Sequence, residues 1–344
     1  MRLPLNVVWM LSAAVGWLGV GTVIATNSES EPYRAETAVN SVEVVRYDWH
    51  DPKRGRKVPA KIYFPGGGNG PFPVIVFSHG LGGSREGYEY LGRHWAGRGY
   101  VSVHLQHLGS DDAVWRDAAG TERTKALRQA TVNPSNAINR PLDVSFAIDQ
   151  LEKLHREPSP FQGKLNLDRI GVAGHSFGAF TTLAVAGQVF TPGPGRQTSL
   201  ADPRVKAAIP MSAPAPADQR RLDEVYGKIT IPCLHMTGTE DYSPIGDTQP
   251  DQRRLPFDHS QGSDQYLITF QDGDHAIFSG RGRLLARTKD ARFQDLICSS
   301  STAFWDAYLR GDAKAKAWLL GGFKGTLGPD GKLEVKLKAP ATTE

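Results

Sequence analysis

Ser176 stands at the centre of Gly174-His175-Ser176-Phe177-Gly178, a G-x-S-x-G spacing. A serine hydroxyl is a weak nucleophile at neutral pH. It needs a histidine to take its proton and a carboxylate to hold that histidine's tautomer and stabilise the imidazolium. Before the serine, Ile170, Val172 and Ala173 form a short buried-strand pattern, and after it residues 179–189 form an apolar helical run. Strand, sharp turn and helix are the context a nucleophile elbow requires. At such a turn, Cβ atoms two residues to either side of the serine would collide, and Gly174 and Gly178 carry none. Five residues also fit an ordinary glycine-rich turn, so a base, an acid and an oxyanion site must follow in the right order.

The chain has ten histidines. His275 follows an apolar strand pattern at 266–270, on the glycine-containing loop Gln271-Asp-Gly-Asp-His. Functional groups of open α/β sheets collect at the carboxyl ends of strands, which selects His275 as the base. His259 precedes that strand, and His50, His94 and His155 fall in the early strand pair or on helices. Asp241 leaves the preceding strand at the same edge, with Glu240 beside it and Asp218 further off. The order Ser176, Asp241, His275 is that of the elbow hydrolases. The developing oxyanion needs two backbone N–H donors. Phe177, at a helix N-terminus, supplies one. The glycine-rich turn His79-Gly80-Leu81-Gly82-Gly83 supplies the other, with Leu81 as donor and His79 read as a loop brace. Trp115, Ile277 and Phe278 are expected to shape the substrate pocket.

The elements that must position these groups alternate. Residues 41–48 and 57–64 read as an antiparallel pair, and 73–78 as a strand buried on both faces. Further strands follow at 100–105, 205–211 and 229–236, with helices at 87–99, 140–154 and 289–309. Residues 106–139 carry no clear period and read as a long loop. Strands alternating with helices imply an α/β fold, a mostly parallel sheet wrapped by helices on both faces. The expected organisation is a signal peptide or N-terminal anchor at 1–25 and a linker at 26–40. An α/β domain then occupies 41–322, and a tail with a short hairpin 323–344.

The chain's 344 residues, 40% apolar content and net charge of +4 suit one large globular domain. The only dense basic run, Lys53-Arg-Gly-Arg-Lys57, lacks aromatic interleaving and reads as a solvated turn, so no nucleic-acid partner is expected. Met1-Arg2, an uncharged stretch over 3–25 and the small residues Val23-Ile24-Ala25 mark a secretory signal. Export is the expectation, secreted, periplasmic or in the outer envelope. The alternative is a membrane anchor formed by 3–25. Cys233 and Cys298 are both in core-like runs, and an exported chain permits either a disulfide or two free thiols. No His or Cys cluster has metal-ligand spacing, so neither metal nor cofactor is expected.

The runs Ser-His-Gly-Leu-Gly-Gly and Gly-His-Ser-Phe-Gly and the loop Gly-Asp-His resemble the α/β-hydrolase superfamily over residues 42–320. Within it they resemble platelet-activating-factor acetylhydrolase-like and dienelactone-hydrolase-like esterases, relatives of cutinases and polyester hydrolases. The resemblance implies about eight strands and metal-free hydrolysis of carboxylic esters, whether small-molecule, lipid or polyester. Some acetylhydrolases place the acid after the strand matching 205–211, where this chain has Ser212 and no carboxylate until Asp218; that favours Asp241. A serine peptidase or acyltransferase uses the same triad, and a non-catalytic exported binding protein is the alternative of another class.

Overall fold

The computed structural model describes Tyr33 and residues 40–193, 196–280 and 289–339. The expected signal segment, nearly all of the linker and residues 340–344 lie outside the described residues.

Among the described residues eleven strands form in chain order: β1 (Val42–Asp51), β2 (Arg56–Pro65), β3 (Phe72–Ser78), β4 (Val101–Leu105), β5 (Leu165–His175), β6 (Val189–Gly193), β7 (Arg196–Ser199), β8 (Val205–Met211), β9 (Cys233–Glu240), β10 (Gln265–Asp274) and β11 (Gly331–Lys336). Nine of them make one sheet in the order β1-β2-β4-β3-β5-β8-β9-β10-β11, and β6 and β7 pair as a small hairpin. From β4 through β10 neighbours run parallel, with antiparallel pairs at both edges. The sheet therefore has nine strands where about eight were expected. The ninth comes from the tail, whose β11 lies antiparallel along β10 from Gln265↔Lys336 to Phe270↔Gly331.

Strand side chains alternate between two cores. In β3, Ile75 and Phe77 point to the core under α1 (Glu89–Gly97), while Val74 and Val76 point to the opposite one. That opposite face is covered by α3 (Pro134–Arg156) and α4 (Phe177–Ala186), while α2 (Gly120–Val132) packs on α3 and buries only Ala130. Two five-residue helices, α5 (Leu222–Tyr226) and α6 (Leu255–His259), follow, and α7 (Asp290–Leu309) returns to the α1 side. Cys233 packs in one core and Cys298 against the other, so the sheet lies between them and both are free thiols. Burial pushes each thiol up to about 12.

Two expectations change. Residues 106–139 are not a structureless loop, since they contain α2 and the first turn of α3. Pro134 occupies the first turn of α3 and the Asn133 side chain accepts from Ser135 N–H at 2.9 Å, a strong helix start that moves Pro141 into the helix interior. The basic turn is not solvated throughout either. Arg54 reaches Asp51 and Asp143, and Arg56 reaches Asp143 and the Leu108 carbonyl. Asp143 is fully buried on α3, where the two cations brought by the hairpin and the His107 ring pair with it.

Candidate active site

Ser176 lies between β5 and α4 at φ 58°, ψ −117°, a strained conformation for a residue with a Cβ. The turn is over-determined by its neighbours. Ser176 N–H donates to the Met211 carbonyl at 2.9 Å, and the Ser176 carbonyl accepts from Ala179 N–H at 2.9 Å. A Cβ on Gly178 would drive into the Ser78 carbonyl oxygen, and one on Gly174 into the Gly178 carbonyl, so both glycines are sterically required.

Asp241 follows β9 and His275 follows β10, at the carboxyl end of the sheet where Ser176 and Leu81 also sit. His275 Nδ1 is 2.7 Å from Asp241 Oδ1. An ionised carboxylate only accepts, so the proton is on Nδ1 and Nε2 is left as an acceptor. β10 breaks register between Phe270 and Asp274, with Asp272 at φ 61°, and this bulge turns His275 toward Asp241. The Asp241 carboxylate is fully buried. Thr237 Oγ1 donates to its Oδ2 at 2.9 Å, and Ser212 Oγ donates to the same oxygen in a short contact. Glu240 and Asp218 are exposed, Asp218 pairing with Arg220 at 2.8 Å, so neither competes with Asp241.

Among the described residues the N–H groups of Leu81 and Phe177 donate to no protein acceptor, and both residues are half-buried beside the serine turn. A Cβ placed on Gly80 would lie 3.4 Å from Ser176 Cβ, which puts the glycine-rich loop against Ser176. Trp115 is half-buried and its Nε1–H donates to the Gly82 carbonyl at 2.8 Å, so it braces this loop. Ile277 and Phe278 are 1% and 0% exposed inside the core under α7, and their expected role in a substrate pocket is withdrawn. Sequence proximity to His275 misled there, because the 3-10 turn His275–Phe278 points its next two apolar side chains inward.

Several buried groups at the site carry no motif of their own. Arg253 donates to the carbonyls of Asp241, Ser212 and Ala213 and approaches Asp241 Oδ1 at 3.5 Å. Burial lowers its pKa, against the pull of Asp241. The His175 ring lies against that of His275, centroids 4.5 Å apart and planes tilted by 44°, and its Nδ1 meets the Tyr88 hydroxyl at 2.8 Å. Burial, with His275 and Arg253 adding to it, holds His175 well below the ordinary histidine range and therefore neutral. Only His175 had a signal, its place inside the elbow motif. Arg253 becomes a neighbour of Asp241 only through the fold. Among the described residues no three His, Cys, Asp or Glu side chains gather as metal ligands.

A family model described as platelet-activating factor acetylhydrolase, isoform II, matches residues 57–133. A platelet-activating factor acetylhydrolase of Cavia porcellus is 24% identical over 333 residues, covering 84% of this chain and 70% of that protein. That of Canis lupus familiaris is 23% identical over 60% of this chain and 48% of its own length. That of Bos taurus is 25% identical over 47% and 38% respectively. The matched segment runs from β2 through the glycine-rich loop to the end of α2, and the mostly parallel sheet is consistent with an α/β-hydrolase fold. The chain has an α/β-hydrolase-like fold and resembles the platelet-activating factor acetylhydrolases, a similarity that supports a serine esterase.

Proposed function

We propose that the chain hydrolyses carboxylic esters of lipid type through an acyl-enzyme on Ser176, with His275 as base and Asp241 as its orienting acid. The observation that carries this reading is the buried Asp241 carboxylate bonded at 2.7 Å to His275 Nδ1, which leaves Nε2 to accept the serine proton. Ser176 Oγ attacks the acyl carbonyl, and His275 takes the proton and returns it to the leaving alcohol. The Leu81 and Phe177 amides hold the tetrahedral oxyanion. Water, deprotonated by His275, then releases the acid and frees the serine. The names of the three relatives favour an acetylated lipid ester over a peptide. Residues 1–25 fit export of the domain, which sequencing the mature N-terminus tests.

The test of the reaction is a panel of nitrophenyl and phospholipid esters of graded acyl length, run on wild type and Ser176→Ala. The expected result is turnover highest with short acyl chains and a loss on the order of 10⁴-fold or more in kcat for Ser176→Ala. Wild-type rates in the variant would reject the reading.

A further inference from the structure

We infer that His79 is a positioning residue that aims the Leu81 N–H at the oxyanion, and that its own orientation is set through His107. The inference rests on the serine-esterase reading of the site. Gly80 O lies 2.6 Å from His79 Nδ1 and also accepts from Gly83 N–H at 3.1 Å. The Gly80–Leu81 peptide is planar and trans, so its C=O and N–H point in opposite directions. Fixing the Gly80 carbonyl therefore fixes the direction of the Leu81 N–H, on a loop that touches Ser176. The preceding carbonyl, that of His79, accepts from the fully buried Arg140, which locks the peptide on the other side.

The protonation pattern follows from the surroundings. His107 backbone N–H donates to His79 Nε2 at 3.1 Å, so Nε2 is unprotonated and Nδ1 carries the proton that reaches Gly80 O. His107 is held in turn, with Nδ1 3.0 Å from Asp143 and Nε2 3.0 Å from Ser78 Oγ. Ser78, His107 and Asp143 form a serine–histidine–aspartate chain, but all three are buried, so it serves as a brace beneath the oxyanion loop. Arg54 and Arg56 anchor its acidic end from the β1–β2 turn. His79 is itself 1% exposed with both ring nitrogens engaged, so it reaches the reaction only through the backbone.

Two variants separate aiming from bulk support. Asn at position 79 puts an amide donor near the Nδ1 position, within reach of Gly80 O. Gln puts its amide near Nε2 and keeps only the contact to His107 N–H. The expected kcat loss is about 10²-fold for His79→Gln and within about 5-fold for His79→Asn, with KM within about 3-fold in both. Affinity for a boronic acid that forms a tetrahedral adduct on Ser176 should weaken in parallel with kcat/KM. Equal kcat in the two variants, or a loss confined to KM, overturns the inference. Should either variant fail to fold, the wild type still decides: ¹⁵N spectra must show the neutral Nδ1–H tautomer at His79, and an Nε2–H tautomer overturns it. Ser176→Ala is run beside them. An active Ser176→Ala rejects the esterase reading itself, whereas an inactive one with indistinguishable position-79 variants rejects the aiming role alone.

Discussion

Arg253 and Asp241 form a buried pair at the base of the site, Nε lying 3.5 Å from Oδ1 and donating to the Asp241 carbonyl at 3.1 Å. Through Nη1, Arg253 also ties the carbonyls of Ser212 and Ala213 to this point, so one side chain joins the ends of β8 and β9. Arg253→Met leaves those carbonyls and the carboxylate short of donors. The expected result is a loss of about 3 kcal/mol in stability and about 10-fold or more in kcat/KM. Urea unfolding and ester kinetics check both, and a variant unchanged in either would remove Arg253 from the account.

Ser212, just past β8, sits at φ 53° and donates to Asp241 Oδ2. Ser212→Ala removes one of the two hydroxyl donors to Oδ2 and leaves Thr237. The expected effect is about 1 kcal/mol on kcat/KM, or about 5-fold, with KM unchanged. Steady-state kinetics decide it, and a loss appearing in KM alone contradicts a role in holding the acid.

Gly178→Ala places a methyl group against the Ser78 carbonyl, a backbone atom that cannot rotate away, whereas Gly67→Ala meets nothing within 4 Å. The first should destabilise the domain by about 3 kcal/mol and the second by less than about 0.5 kcal/mol. Chemical denaturation midpoints compare the two. Equal midpoints would show that the elbow is not packed as described.

Stability should fall in mild acid. Burial lowers His94, His107 and His235 to about 4 and His104 to about 3. Each therefore stays neutral in the folded chain at pH values where the unfolded chain, titrating near 6.5, has already taken up a proton. Between about 4 and 6.5 the unfolded state binds more protons, so stability rises with pH across that window and levels off above it. Each histidine contributes about 1.4 kcal/mol per pH unit there. His235→Gln, remote from the site, should flatten the slope by about one proton. Unfolding free energies measured from pH 4 to 8 test this, and a slope unchanged by the substitution contradicts it.

The elbow was readable because its demands are local: two glycines at fixed spacing, a strand before and a helix after. Asp241 and His275 were readable by topology, since both follow parallel strands that end on the same edge. What surrounds them was not, because it depends on pairings between distant segments. Arg54 and Arg56 look like solvent charges until the β1–β2 hairpin lies over α3 and meets Asp143. Asn133-Pro134 carried a helix-start signal that the surrounding polarity obscured. The tail strand β11 alternates well enough to be seen, but only the free edge of β10 gives it a partner in the main sheet.

The proposed hydrolysis depends on an acyl-enzyme at Ser176. Its most direct test is intact-protein mass spectrometry after reaction with a fluorophosphonate, followed by peptide mapping. The expected result is one adduct per chain, located on Ser176, with ester hydrolysis lost in proportion to labelling and no adduct on Ser176→Ala. Complete inhibition with the label on any other residue, or hydrolysis that persists when Ser176 is fully labelled, would contradict it.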